Sequence, residues 1–138
     1  MGSLPSIYIN KHGASAGRWS QWRKRQAALV ALRFAGKCEG NRCDSKADEL
    51  HHVFGRRHII AEPLASHHTM CAALCRDCHR AAHRGEKPLL PMLQLAALGR
   101  VCAWFSLPQV DDPQNVRTIE AMLRAEGEWD WLCLDAGR

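Results

Sequence analysis

Two pairs of cysteines and two pairs of histidines fall within 46 residues of this chain, from Cys38 to His83. The cysteines read Cys38-x4-Cys43 and, after 31 intervening residues, Cys75-x2-Cys78. A structural zinc ion takes four soft ligands in a tetrahedron, and two close pairs, each on a tight turn, supply them with little strain. Gly40 and Asn41 permit the chain reversal inside the first pair. The plainer reading is four buried thiols, but the polar turns around them favour zinc. Cys71 is a possible substitute ligand. Seven cysteines are an odd number, and Cys71, Cys102 and Cys133 sit in apolar stretches that read as small buried hydrophobes.

The histidines suggest a second centre. His79 and His83 are four residues apart, so on a helix they share a face and can chelate one ion. His79 directly follows Cys78, so a zinc ion there would fix the helix that presents both. His51 and His52 are adjacent. On a strand they leave opposite faces, and one can bind metal while the other serves as a base. A neutral imidazole with a pKa near ~6.5 is a suitable base at neutral pH.

Glu49-Leu50-His51-His52-Val53 followed by Leu74-Cys75-Arg76-Asp77-Cys78-His79-x3-His83 resembles the motif of the HNH endonucleases, over residues 38–84. The Phe54-Gly55-Arg56-Arg57 continuation is similar to phage and prophage members. The resemblance implies a ββα-metal fold and hydrolysis of DNA, with 5′-phosphate and 3′-hydroxyl products. It makes His51, His79 and His83 ligands of a catalytic Mg²⁺, Mn²⁺, Ni²⁺ or Zn²⁺, and His52 the general base. Cys38, Cys43, Cys75 and Cys78 become the optional structural zinc frame. One position departs. Where the family has an asparagine, or sometimes histidine, that orients the base-carrying strand, the ungapped residue is Met70. His68, or else His67, fills that catalytic role if the loop is shifted by a few residues.

The implied partner is DNA, double-stranded and held mainly by its phosphates. Arg56, Arg57 and His58 follow the base after a glycine turn and are placed to clamp phosphates, with Arg80, Arg76 and Arg84 on the site helix. Residues 1–37 carry seven basic residues and no acid, among them Arg18, Arg23, Lys24 and Arg25, whereas residues 111–138 carry three arginines against seven acids. A basic segment beside an acidic tail suggests one surface that meets a polyanion. Trp19 and Trp22, interleaved with these cations, can stack on bases or anchor the core; for Trp22 the core is the favoured place.

The elements that must position these groups read as an α+β arrangement. It is a zinc-stapled ββα core over 38–87, a basic arm and helix over 1–37, and a helical extension over 88–138, as one compact domain. A helix is predicted from about Arg18 to Ala35, with Trp22, Leu29, Val30 and Phe34 facing inward and Gly36 as its stop. A strand is expected over Glu49 to Phe54, a second at Ile59-Ile60 after a turn at Gly55, and a helix from about Leu74 to Arg84 stopped by Gly85. Pro91 suits the first turn of an apolar helix running to Phe105. Asp112-Pro113 starts another that buries Val116, Ile119, Met122 and Leu123, and Trp129 to Leu134 packs back on the body.

Apolar residues make up 46% of the chain and the net charge is +5, which excludes a globally disordered chain. No apolar run approaches the ~20 residues of a membrane span, and the N-terminus lacks the basic-then-apolar pattern of a signal peptide. The expectation is a cytoplasmic protein, of a bacterial or phage-infected cell, without membrane contact, acting as a monomer or weak dimer.

Overall fold

Tryptophan side chains decide how the first helix lies. The computed structural model describes residues 14–40, 43–55 and 60–137, and its first element is α1 (Ala14–Arg33). Trp19, Trp22, Gln26 and Val30 are buried along one stripe, at the three- and four-residue steps of an α-helix, with Arg33 half-buried on the next turn. This corrects the expected stripe: Leu29 is 46% exposed and Phe34 53% exposed. A stripe read from apolar residues alone misses Gln26 and Arg33, which turn inward because they serve the backbone of the 67–71 segment. Gln26 Oε1 accepts from the His68 N–H at 2.9 Å. Arg33 donates to the carbonyls of His68 at 3.0 Å and Cys71 at 2.6 Å. The helix ends as Gly36, at φ 81°, donates to the Ala31 carbonyl.

Two short strands form an antiparallel pair, β1 (Glu49–His52) and β2 (Cys71–Leu74), with His51 opposite Ala72 and His52 opposite Cys71. The second strand is therefore not at Ile59-Ile60; Ile60 is a buried bend and Ile59 lies outside the described residues. β2 gives no alternating signal because it is buried on both faces. Cys71 and Ala73 meet Val30 of α1, while Ala72 and Leu74 enter the main core. Its second edge is covered as well. Glu39 accepts from the Ala73 N–H and donates its own N–H to the Ala73 carbonyl, each at 2.8 Å, and Arg33 bonds the Glu39 carboxylate at 2.8 Å. Arg100 adds a bond to the Cys71 carbonyl at 3.3 Å. No strand edge is left open there.

α2 (Arg76–His83) follows β2 directly and stops at Gly85, at φ 69°. α3 (Leu89–Trp104) buries Leu93, Ala97, Leu98, Val101 and Cys102, and Gly99 does not interrupt it. Asp112 caps a 3₁₀ turn at Pro113–Asn115 by accepting from the Gln114 N–H at 3.0 Å. α4 (Arg117–Ala125) then buries Ile119 and Leu123, with Val116 just ahead of them and Met122 half-buried. α5 (Glu128–Gly137) packs back on α1, where Trp22 Nε1 donates to Asp135 at 3.0 Å. One apolar cluster joins Trp19 and Trp22 of α1, Met70, Leu74, Leu98 of α3, Ile119 of α4 and Trp129 of α5. Mixed α+β architecture is thus observed. Among the described residues, no helix is long and apolar enough to cross a membrane.

Candidate metal centres

The four cysteines come from two tight pieces of chain. Cys38 and Cys43 flank a turn closed by the Cys38 N–H to the Ser45 carbonyl at 2.9 Å and the Cys43 N–H to the Gly40 carbonyl at 3.2 Å. Cys75 caps α2, its sulfur accepting from the Cys78 N–H at 3.5 Å, and Cys78 sits in the first turn. All four sulfurs lie within 4.8 Å of one another, and Cys43 Sγ to Cys75 Sγ is 3.8 Å. A tetrahedron with bonds of about 2.3 Å has edges of about 3.8 Å, so the set fits a structural zinc ion. Gly40 has no room for a side chain: a Cβ there would stand 2.6 Å from Cys78 Sγ. Its N–H instead approaches Cys38 Sγ at 3.3 Å.

Thiols packed this closely resist ionisation without a cation among them. Burial pushes Cys38 up, and burial with the neighbouring sulfurs pushes Cys78 further up. Cys43 goes the other way, to about 7, because the backbone and hydroxyl of Ser45 bond its sulfur.

The histidines form a second cluster. One ligand nitrogen from each of His51, His79 and His83 lies within a common 4.8 Å, which positions the three to bind a metal. His51 reaches in from β1, its ring 5.1 Å from that of His79 and 5.3 Å from that of His83. It is 4% exposed, and neither ring nitrogen has a hydrogen-bond partner. Burial, then the neighbouring imidazoles, holds its pKa down to about 4, so its ring is neutral and its lone pair available. His79 Nδ1 donates to Glu49 Oε1 at 2.6 Å, which leaves Nε2 as the acceptor nitrogen. That Nε2 faces His83 Nε2 at 3.0 Å. Two imidazole nitrogens so close share either a proton or a cation. The bond to His79 holds the Glu49 carboxyl below its usual range, with help from Arg76 and Arg80.

Glu49 is the functional residue that the sequence reading missed. Its signal was present: it stands two residues before His51, on the same face of the strand, with a carboxylate of the kind that orients metal-bound imidazoles.

The other expected residues scatter. His52 is half-buried on β1, across from Cys71, and strand alternation sends it to the face opposite His51. His68 packs on Trp104 and His67, with ring centroids 4.4 Å away in both cases, and His67 Nδ1 meets Thr69 Oγ1 at 2.8 Å. Among the described residues, neither makes a ring contact or hydrogen bond with His51, His79 or His83. Met70 is fully buried. Arg18, Lys24 and Arg25 are exposed on α1, and Arg76, Arg80 and Arg84 on α2. Arg23 is half-buried, its guanidinium 5.2 Å above the Trp19 ring. Trp19 and Trp22 are both fully buried, so stacking of bases on them is ruled out; each anchors the core. Arg56, Arg57 and His58 lie outside the described residues.

No family model matches the chain, and no curated protein or solved structure matches it.

Proposed function

We propose that this protein is a metal-dependent HNH endonuclease that hydrolyses DNA phosphodiester bonds. One observation carries the reading: His51, His79 and His83 converge on a single point, on a strand and a helix whose cap and first turn hold two of the four clustered cysteines. The order of strand, strand and helix around that point is the order the ββα-metal fold requires.

His51, His79 and His83 would hold a divalent ion, which would supply Lewis acidity at the scissile phosphate. His52 takes the proton from the attacking water, a contribution of roughly 10²–10⁴ in rate. Glu49 fixes the ring of His79. Arg80, and Arg76 and Arg84 around it, hold phosphates from the exposed side of α2, with Arg18, Lys24 and Arg25 of α1 extending the basic surface. Cys38, Cys43, Cys75 and Cys78 would hold a structural zinc ion.

A second reading is a zinc module that binds nucleic acid without cutting it. It draws on Met70, which is buried and offers a backbone carbonyl to the N–H of Val53, just past β1, at 3.1 Å, where the family offers a polar side chain.

Supercoiled plasmid incubated with the zinc-loaded protein decides between the two. Nicking is expected with added Mg²⁺, Mn²⁺ or Ni²⁺, none with EDTA, and at least about a hundredfold less with His52→Ala, which should still bind DNA. If His52→Ala cuts like the unaltered chain, the assignment of the base is wrong. If the folded, zinc-loaded protein binds DNA but fails to cut it with any of these metals, the second reading replaces the first.

A further inference from the structure

Away from both cysteines and histidine trio, α1, α3 and α5 enclose a cleft of about 350 Å³. Aromatic rings form much of its wall: Trp104 and Phe105 from the end of α3, Trp131 from α5, and the imidazole of His68. Trp104 is 60% exposed and Trp131 65% exposed, the largest apolar groups left to solvent among the described residues. Trp104 is nevertheless held in place, edge-on to His68 with centroids 4.4 Å apart. An exposed indole fixed in one orientation is a surface prepared for a ligand, because its ordering cost is already met.

The polar part of the same wall is acidic. Glu128 and Asp135 line the cleft, and among the described residues no lysine or arginine does. Neither carboxylate has an ion-pair partner among the described residues; Asp135 accepts only the Trp22 indole N–H. Exposed tryptophans on a nucleic-acid enzyme would ordinarily suggest base stacking. Here two carboxylates with no ion-pair partner among the described residues disfavour the phosphate that comes with every base. What they complement is positive charge, and an aromatic face attracts the same charge through its quadrupole. The volume lies at the small end of ligand sites and suits a compact head group.

We propose that this cleft binds an organic cation, a guanidinium or alkylammonium head group, against the indoles of Trp104 and Trp131, with its charge balanced by Glu128 and Asp135. The site is independent of the nuclease reading and stands or falls without it.

Tryptophan fluorescence of the full zinc-loaded chain, titrated with N-acetyl-arginine methylamide, is the test. The neutral citrulline analogue has nearly the same shape and serves as control. Saturable binding is expected for the cation, with at least about tenfold weaker binding of the citrulline compound and a similar loss in Glu128→Gln/Asp135→Asn. Trp131→Ala should weaken binding as well; because Trp131 is exposed, circular dichroism and the melting temperature should not move. The head group has two sources, which a short arginine peptide separates. Tighter binding than the free derivative assigns the site to a basic protein segment, and equal binding assigns it to a small cation. Equal affinity for arginine and citrulline compounds, no saturable response, or preference for a deoxynucleoside monophosphate would each overturn the proposal.

Discussion

At the scale of single residues, Glu49 has the most to do for its size. Its carboxylate receives the His79 Nδ1–H at 2.6 Å and sits 3.7 Å from Arg76. That bond selects the tautomer that turns Nε2 toward His51 and His83, and it raises the basicity of the ligand. Glu49→Gln keeps an acceptor of the same shape and removes the charge. Loss of such a partner costs 10- to 100-fold in metal affinity as a rule. The expected result is therefore Ni²⁺ binding at the histidine site weaker by about that factor, measured by competition with a chelator, with zinc content at the cysteines unchanged. Unaltered Ni²⁺ affinity would remove Glu49 from the site. The two clusters were legible because metal chemistry constrains residue type and spacing locally: cysteine pairs on turns, and histidines one helical turn apart. Glu49 shares a strand face with His51 by its spacing, but that spacing does not say which imidazole it meets, since this depends on which helix crosses the strand. His68 was harder still. Its candidacy rested on a loop shift that no local pattern can fix, and it packs against Trp104 of α3.

Among the elements, α2 carries both centres. Eight residues are too few for a helix to persist alone in water. Its N-terminus is held by Cys75 and Cys78, and the histidines follow within the next turn and a half. The arrangement implies coupling: zinc at the cysteines would order α2, ordered α2 would assemble His51, His79 and His83, and an ion at either centre would favour the other. Cys78→Ser, which leaves three thiols, should raise hydrogen exchange across α2 and weaken Ni²⁺ binding at the histidines at least about tenfold, a coupling of ~1.4 kcal/mol. Equal Ni²⁺ affinity with and without zinc would show the two centres to be independent. α2 and α4 were readable in advance because their burial follows local periodicity and glycine stops. β2 was not, because Cys-Ala-Ala-Leu buried on both faces has no period of two. The inward face of α1 was misread for a related reason. Gln26 and Arg33 are polar in sequence but interior in place, committed to the backbone of a segment some 40 residues away, a pairing that no local window contains.

For the whole molecule, His67 reports on how the helices meet. Its ring lies 6.5 Å from Trp22 of α1 and 5.8 Å from Trp104 of α3, and 5.3 Å from Phe105. It is 5% exposed, and it belongs to neither metal centre. Burial, with a smaller contribution from His68, pushes its pKa down to about 3. In the unfolded chain the same ring takes a proton below about pH 6.5. Between pH 6.5 and about 3 the unfolded state therefore binds a proton that the folded state refuses. Stability must fall as the pH drops through that window, by about 2 kcal/mol at pH 5. His68, also held low by burial and then by Arg33 and Arg100, acts in the same direction. Acid would also release zinc from the thiolates, so the loss in the unaltered chain has several sources. His67→Gln separates them, since glutamine can bond Thr69 and cannot titrate. Denaturant unfolding of both proteins at pH 7 and pH 5 should give a stability loss about 2 kcal/mol smaller in the variant. Identical losses would mean that His67 is protonated in the folded protein, and hence that the junction of α1 and α3 around it opens to water at pH 5.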